Sequence, residues 1–240
     1  MDASCKIQRS IHVFNITNKS MCPDFWVHIR DKNLKGIFYI LFKLFKILVY
    51  TFALIYSQRK EVNGMEIDIL NYIQTLRTPI GDVLMPFISS LGNGGFVWIV
   101  LDIALIIIPK TRKAGIVVAF AIILDVLLCN GLLKPLVARI RPCNVVKNIN
   151  MLIPIPKDFS FPSGHTAVAF AVTSALCFCK NKIWIPSALL SLLIAFSRMY
   201  LYVHYPSDIL GGVLLGVLVG KLAYDLGIKL GEKKKGSVAI

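Results

Sequence analysis

Apolar residues in this chain gather in long runs, and short polar or basic links separate them. Five runs, over 94–108, 114–133, 162–179, 183–203 and 209–228, approach the roughly 20 residues that a helix needs to cross a bilayer. An earlier run, 36–57, carries Lys43 and Lys46 well inside, where charge is costly. It reads as a sixth span or as a basic amphipathic helix at the surface. Residues 66–91 mix apolar and charged positions and hold Pro79 and Pro86, a pattern that predicts an interfacial, broken helix. The fold class expected is all-α: a polytopic transmembrane helix bundle of five to six spans.

Composition agrees with that pattern. Of the 240 residues, 56% are hydrophobic and 17% charged, with a mean hydropathy of +0.68; a soluble domain carries about 25% charge. The net charge of +14 would suggest nucleic acid in a soluble protein. Here the basic residues fall mostly between apolar runs, so no nucleic acid is expected, and the positive-inside rule accounts for most of them. The links 109–113, 180–182 and 229–235 are short, basic and correctly alternating, which makes all three cytoplasmic. The links 134–161 and 204–208 then face outward together, placing catalytic links on one face of the cell membrane. The organisation expected is a basic N-terminal extension over 1–64, a membrane domain over 65–230 and a basic cytoplasmic tail over 231–240. Gly212, Gly216 and Gly220 repeat every four residues in the last run, a helix-packing signal. Asp102 and Asp125 lie within runs, where a carboxylate serves either an interhelical hydrogen bond or support of a nearby site.

Polar residues cluster in the outward links. "KPLVARIRP" places Lys134, Arg139 and Arg141 on a face where cytoplasmic anchoring does not explain them. "FPSGH" opens the next run: Ser163 suits an N-cap, Gly164 admits a ligand to the backbone, and the first-turn amides form an anion site. His165 sits there although a helix N-terminus disfavours an imidazolium. "SRMYLYVHYPSD" supplies Arg198, His204 and Asp208. Asp208 can accept the Nδ1 proton of His204 and leave Nε2 free. A phosphate ester fits all three clusters. Lys134, Arg141, Arg198 and the 163–165 backbone would hold its oxygens, His204 would attack phosphorus, and His165 would protonate the leaving oxygen. Side chains supply the cations, so no cofactor or metal is expected.

These three stretches, in order, resemble the signature of the type-2 phosphatidic acid phosphatase superfamily: Lys-six-Arg-Pro, Pro-Ser-Gly-His and Ser-Arg-five-His-three-Asp. Every signature position is filled, and the resemblance covers roughly 65–230. It implies metal-independent dephosphorylation through a phosphohistidine, with His204 as nucleophile, Asp208 as its orienter and His165 as general acid. It also implies phosphate binding by Lys134, Arg141, Ser163, Gly164 and Arg198. The chain is similar to the small bacterial branch that hydrolyses undecaprenyl diphosphate, notably over "MPFISSLGNGGFVW" (85–98). The short 143–161 link leaves little protein to read a large headgroup. The partner expected is therefore a lipid phosphate or diphosphate in the bilayer, undecaprenyl diphosphate first. Phosphatidic acid or phosphatidylglycerophosphate hydrolysis and lipid phosphotransfer stay open. A silent lipid-binding protein would need only the cations, not His204, His165 and Asp208.

Overall fold

The first described helix ends at Thr75, and just beyond Arg77 the sequence supplies a complete restart signal. Thr78 is extended and its hydroxyl accepts the Gly81 amide at 3.0 Å; Pro79 takes the first helical position and Asp82 the first turn. The structure, a computed structural model, describes residues 59–236, with side chains over 64–227. From Asn63 on, the chain forms one compact unit. Its longer α-helices among the described residues are α1 (Arg59–Thr75), α2 (Pro79–Leu91), α3 (Phe96–Ile107), α4 (Arg112–Asp125), α5 (Gly164–Phe178), α6 (Trp184–Tyr200) and α7 (Pro206–Gly236). No strand occurs among the described residues. The 36–57 run lies outside them.

The break expected in 66–91 falls only before Pro79. Pro86 lies inside α2, which runs through it at the cost of a backbone bond. The α1–α2 corner is pinned to α6: Arg77 pairs with Asp82 at 2.8 Å, and Asp82 also accepts the Tyr200 hydroxyl at 2.8 Å. A tight turn at Asn93–Gly95, with Gly94 and Gly95 left-handed, then bends the chain by 48° into α3. By length and composition, Arg112–Val145 and α7 can each cross a membrane, and the bent α2–α3 pair is a third candidate; α5 and α6 are shorter apolar helices. The segment 229–235, expected as a tail link, continues α7 to Gly236.

α5 packs against α7 through the glycine stripe. A Cβ at Gly212 would stand 2.9 Å from the Ser163 carbonyl oxygen, and one at Gly216 would stand 2.5 Å from that of Ala167. Backbone therefore meets backbone, as the four-residue repeat predicts. α6 joins the same side: Ser191 Oγ lies 2.9 Å from Thr173 Oγ1 and donates to the Ala169 carbonyl at 3.1 Å.

Candidate active site

α4 does not end where its α-helical bonding ends. Val126–Leu133 continues as a π-helix, and Lys134–Val137 adds one α-turn. A π-helix brings residues five apart to one face. Asp125 and Asn130 accordingly line one cavity with Lys134. Ala138 in left-handed conformation stops the turn. Beyond it, Arg139 and Arg141 point inward while Ile140 is exposed.

The cavity, of about 700 Å³, is lined by Lys134, Arg141, Arg198, His204, Gly164 and His165 among others. Six of the eight expected site residues thus meet around one space. Asp208 and Ser163 stand behind its wall, fully buried. Ser163 occupies the N-cap position, but its hydroxyl accepts from Thr166 Oγ1 at 3.0 Å and makes no cap bond. Its amide donates to the Asp208 carbonyl at 3.1 Å. The first-turn amides of α5 at Gly164–His165, which lack intrahelical partners, edge the cavity beside it.

His204 sits in a buried link, 201–205, that turns sharply at Tyr202 (φ 60°). Its Nε2 lies 3.0 Å from Arg141 Nη1. A guanidinium only donates, so Nε2 accepts and the ring proton resides on Nδ1. Nδ1 is 3.4 Å from Asp208 Oδ2, an electrostatic contact in place of the hydrogen bond expected. Burial, and then the charges of Arg141, Arg198 and Lys134, push the imidazole well below its ordinary range near 6.5, so it is neutral.

Asp208 is fixed by residues outside the eight expected at the site. Oδ2 accepts from the Ser160 hydroxyl and from the Tyr205 amide at 2.9 Å; Oδ1 accepts from Arg139 Nη1 at 2.7 Å. Arg139 also pairs with Glu66 of α1 at 2.5 Å and lies over the Tyr205 ring at 3.8 Å. Glu66 in turn accepts the Ser207 amide at 2.9 Å. Arg139 therefore serves the support of Asp208, and Arg141 the cavity.

The opposite wall is sparser. His165 Nε2 meets Asn93 Oδ1 at 2.9 Å, and Gly92 leaves room for the ring, since a Cβ there would lie 2.8 Å from His165 Cδ2. Arg198 is 3% exposed; one terminal nitrogen donates to Ser89 Oγ at 2.5 Å, and its Nε has no hydrogen-bond partner. Lys134 bonds to Asp158, whose other oxygen accepts from Arg141 Nη2 at 2.8 Å. Burial pushes Asp158 upward, but those two cations outweigh it and hold the carboxyl well below its usual range. Asp102 is buried in α3 away from the cavity.

Residues 114–231 match the PAP2 superfamily. The undecaprenyl-diphosphatase of Sulfolobus acidocaldarius is 31% identical over 193 residues, which is 80% of this chain and 92% of that protein. The chain belongs to the PAP2 superfamily. Two solved structures show the same fold. One is a phosphatidylglycerolphosphate phosphatase from Bacillus subtilis: 27% identity, TM-score 0.60, 81% of this chain and 96% of that one. The other is Aquifex aeolicus LpxE: 30% identity, TM-score 0.59, 66% of this chain and 94% of that one. This PAP2 protein is a lipid phosphatase with apolar helices of membrane type.

Proposed function

We propose that the enzyme removes a phosphate from a lipid diphosphate, undecaprenyl diphosphate first, through a phosphohistidine on His204. The observation that carries this reading is a neutral, buried His204 whose Nε2 meets a cavity walled by Lys134, Arg141 and Arg198. A phosphoryl group spreads charge over its oxygens during transfer, and fixed cations in a closed site stabilise that charge. The Nε–H of Arg198, buried and without a hydrogen-bond partner, is a further donor beside that cavity.

Arg141 turns its N–H from Nε2 to a phosphate oxygen, and the Nε2 lone pair forms the N–P bond. The P–O bond to the lipid breaks, and His165 supplies the leaving oxygen's proton when that oxygen needs one. Asp208 faces the Nδ1 proton and stabilises the positive ring. Water then attacks phosphorus, the N–P bond breaks and returns its electron pair to His204 Nε2, and inorganic phosphate leaves; one water proton passes to His165 where His165 has given one up and otherwise stays on the departing phosphate. Side-chain cations do the electrostatic work throughout, so the reaction needs no metal.

The remaining expectations belong to the same reading. The span count is five to six, the basic links lie on the cytoplasmic side with the C-terminus, and the cavity opens on the outer face. The catalytic unit starts between Asn63 and Glu66, because Glu66 is bonded into the site.

The test is phosphate release by the purified full-length enzyme from undecaprenyl diphosphate, phosphatidic acid and phosphatidylglycerophosphate, with and without EDTA. The expected result is fastest turnover of undecaprenyl diphosphate, unaffected by EDTA. A ³²P-labelled, acid-labile phosphoenzyme should be trapped in the native protein and be absent from His204→Ala. Activity lost in EDTA and restored by Mg²⁺ would overturn the mechanism. Preference for phosphatidylglycerophosphate would move the substrate assignment to that of the Bacillus subtilis structural relative.

A further inference from the structure

We infer that Asp158 is a resident counter-ion of the phosphate cradle, which substrate must displace, and that it sets how strongly an anion has to bind to enter. This rests on the reading that Lys134 and Arg141 hold the phosphoryl group. The structure shows both cations already engaged by one carboxylate, a different oxygen for each. A carboxylate bridging an ammonium and a guanidinium takes the positions that two phosphate oxygens would take.

The two ends of this residue are held differently. The Asp158 side chain is half exposed, so rotation carries it into water. Its backbone stays, because Arg141 Nε donates to the Asp158 carbonyl at 2.9 Å and Arg141 Nη2 approaches the Phe159 carbonyl at 3.3 Å. The link is pinned beyond it by the Ser160 amide, which donates to the Arg139 carbonyl at 2.8 Å. Met151, Leu152 and Ile153 pack against the buried Leu70–Tyr202 cluster on the other side. The carboxylate can therefore leave while the wall of the cavity remains. Mild acid does not release it, since the same two cations hold Asp158 ionised; a competing anion must.

The resting site is thus closed on itself. Arg141 bonds Asp158 through Nη2 and the Nε2 of His204 through Nη1, so a phosphate that replaces the carboxylate arrives beside the nucleophile. A weak or singly charged anion gains too little to make that exchange. Apparent affinity falls by the fraction of molecules whose cradle is open.

Asp158→Asn tests this, since it keeps the shape and the backbone contacts and removes the charge. The measurement is the inhibition constant of orthovanadate, with kcat and KM for phosphatidic acid, on full-length enzyme in detergent. Two partly exposed ion pairs predict vanadate inhibition about 5- to 30-fold tighter and KM lowered in step, with kcat within about threefold. Unchanged or weaker vanadate inhibition would overturn the proposal, because a carboxylate that merely props up the two cations gives that sign. Asp158→Glu keeps the charge and should stay within about threefold of the native inhibition constant. Equal tightening in both variants would point to loosened packing and also overturn it. Lys134→Ala and Arg141→Ala separate this inference from the one beneath it. If neither weakens vanadate, the cradle itself is misassigned; if both do and Asp158→Asn has no effect, only the counter-ion role fails.

Discussion

The two histidines of the cavity live in different surroundings. His204 is enclosed: Arg141 holds one ring nitrogen, Asp208 faces the other, and Arg139, Ser160 and Glu66 fix Asp208 from behind. His165 projects from the first turn of α5 toward the open space and meets Asn93. In the proposed reaction the first group makes the same bond with every substrate. The second meets whichever oxygen departs. A constant task tolerates a rigid mount, and a variable one favours latitude.

Removing the mount should have the largest effect. Arg139→Ala leaves Glu66 and Asp208 buried without their cation, and breaking such a cluster costs about 3–5 kcal/mol. The expected outcome is a large loss of thermal stability in detergent together with loss of turnover. Arg139→Lys should recover part of the stability, and less of kcat, because an ammonium cannot form the guanidinium's parallel bonds. If Arg139→Ala has native kcat, the rigidity around His204 is irrelevant to catalysis.

On the other wall, the effect should depend on substrate. His165→Ala should lower kcat/KM for phosphatidic acid roughly 10²–10⁴-fold, the usual worth of a general acid. Undecaprenyl diphosphate should lose far less, because a departing phosphate has a second pKa of about 6. Equal losses would make His165 a phosphate-binding group and erase the difference between the two walls.

The smallest effect concerns pH. Burial and three neighbouring cations keep His204 neutral far below the ordinary histidine range. Its proton would have to come on before attack fails, so the acid limb of kcat/KM should lie well under 6.5. From pH 7 to 6, kcat/KM for undecaprenyl diphosphate should stay flat. Half-loss near 6.5 would mean that His204 is more exposed to water than its surroundings imply.

The reacting groups were legible in the sequence because their spacing is local. Lys134 and Arg141 flank one helix end, and His204 and Asp208 open another. Their partners were not legible. Glu66 lies 73 positions from Arg139, Asn93 lies 72 from His165, and Ser89 lies 109 from Arg198. A single acid, amide or hydroxyl on a helix gives no periodic signal, and only the packing of α1 and α2 brings these to the site. The 85–98 stretch signals a resemblance, but neither its "GNGG" turn nor the histidine that the turn faces. The π-helix was also hidden, since nothing in "VLLCNGLL" distinguishes it from an α-helix. Pro86 misled for the reverse reason: a proline marks a helix end only where a cap such as Thr78 accompanies it.

The Glu66–Arg139–Asp208 cluster also bears on how the protein is made. Its members arrive in the order acid, cation, acid, and the two acids lie 142 positions apart. At 5–20 residues per second, roughly 7–28 s separate the synthesis of Glu66 from that of Asp208. During that interval Arg139 can find Glu66 but not the residues at the start of α7, and the Glu66 oxygen that later receives the Ser207 amide has no such donor. A chain that stalls before the last helix holds Arg139 with one of its two acids and an unformed histidine link. The cluster that holds the site together thereby also ensures that no unfinished chain can work.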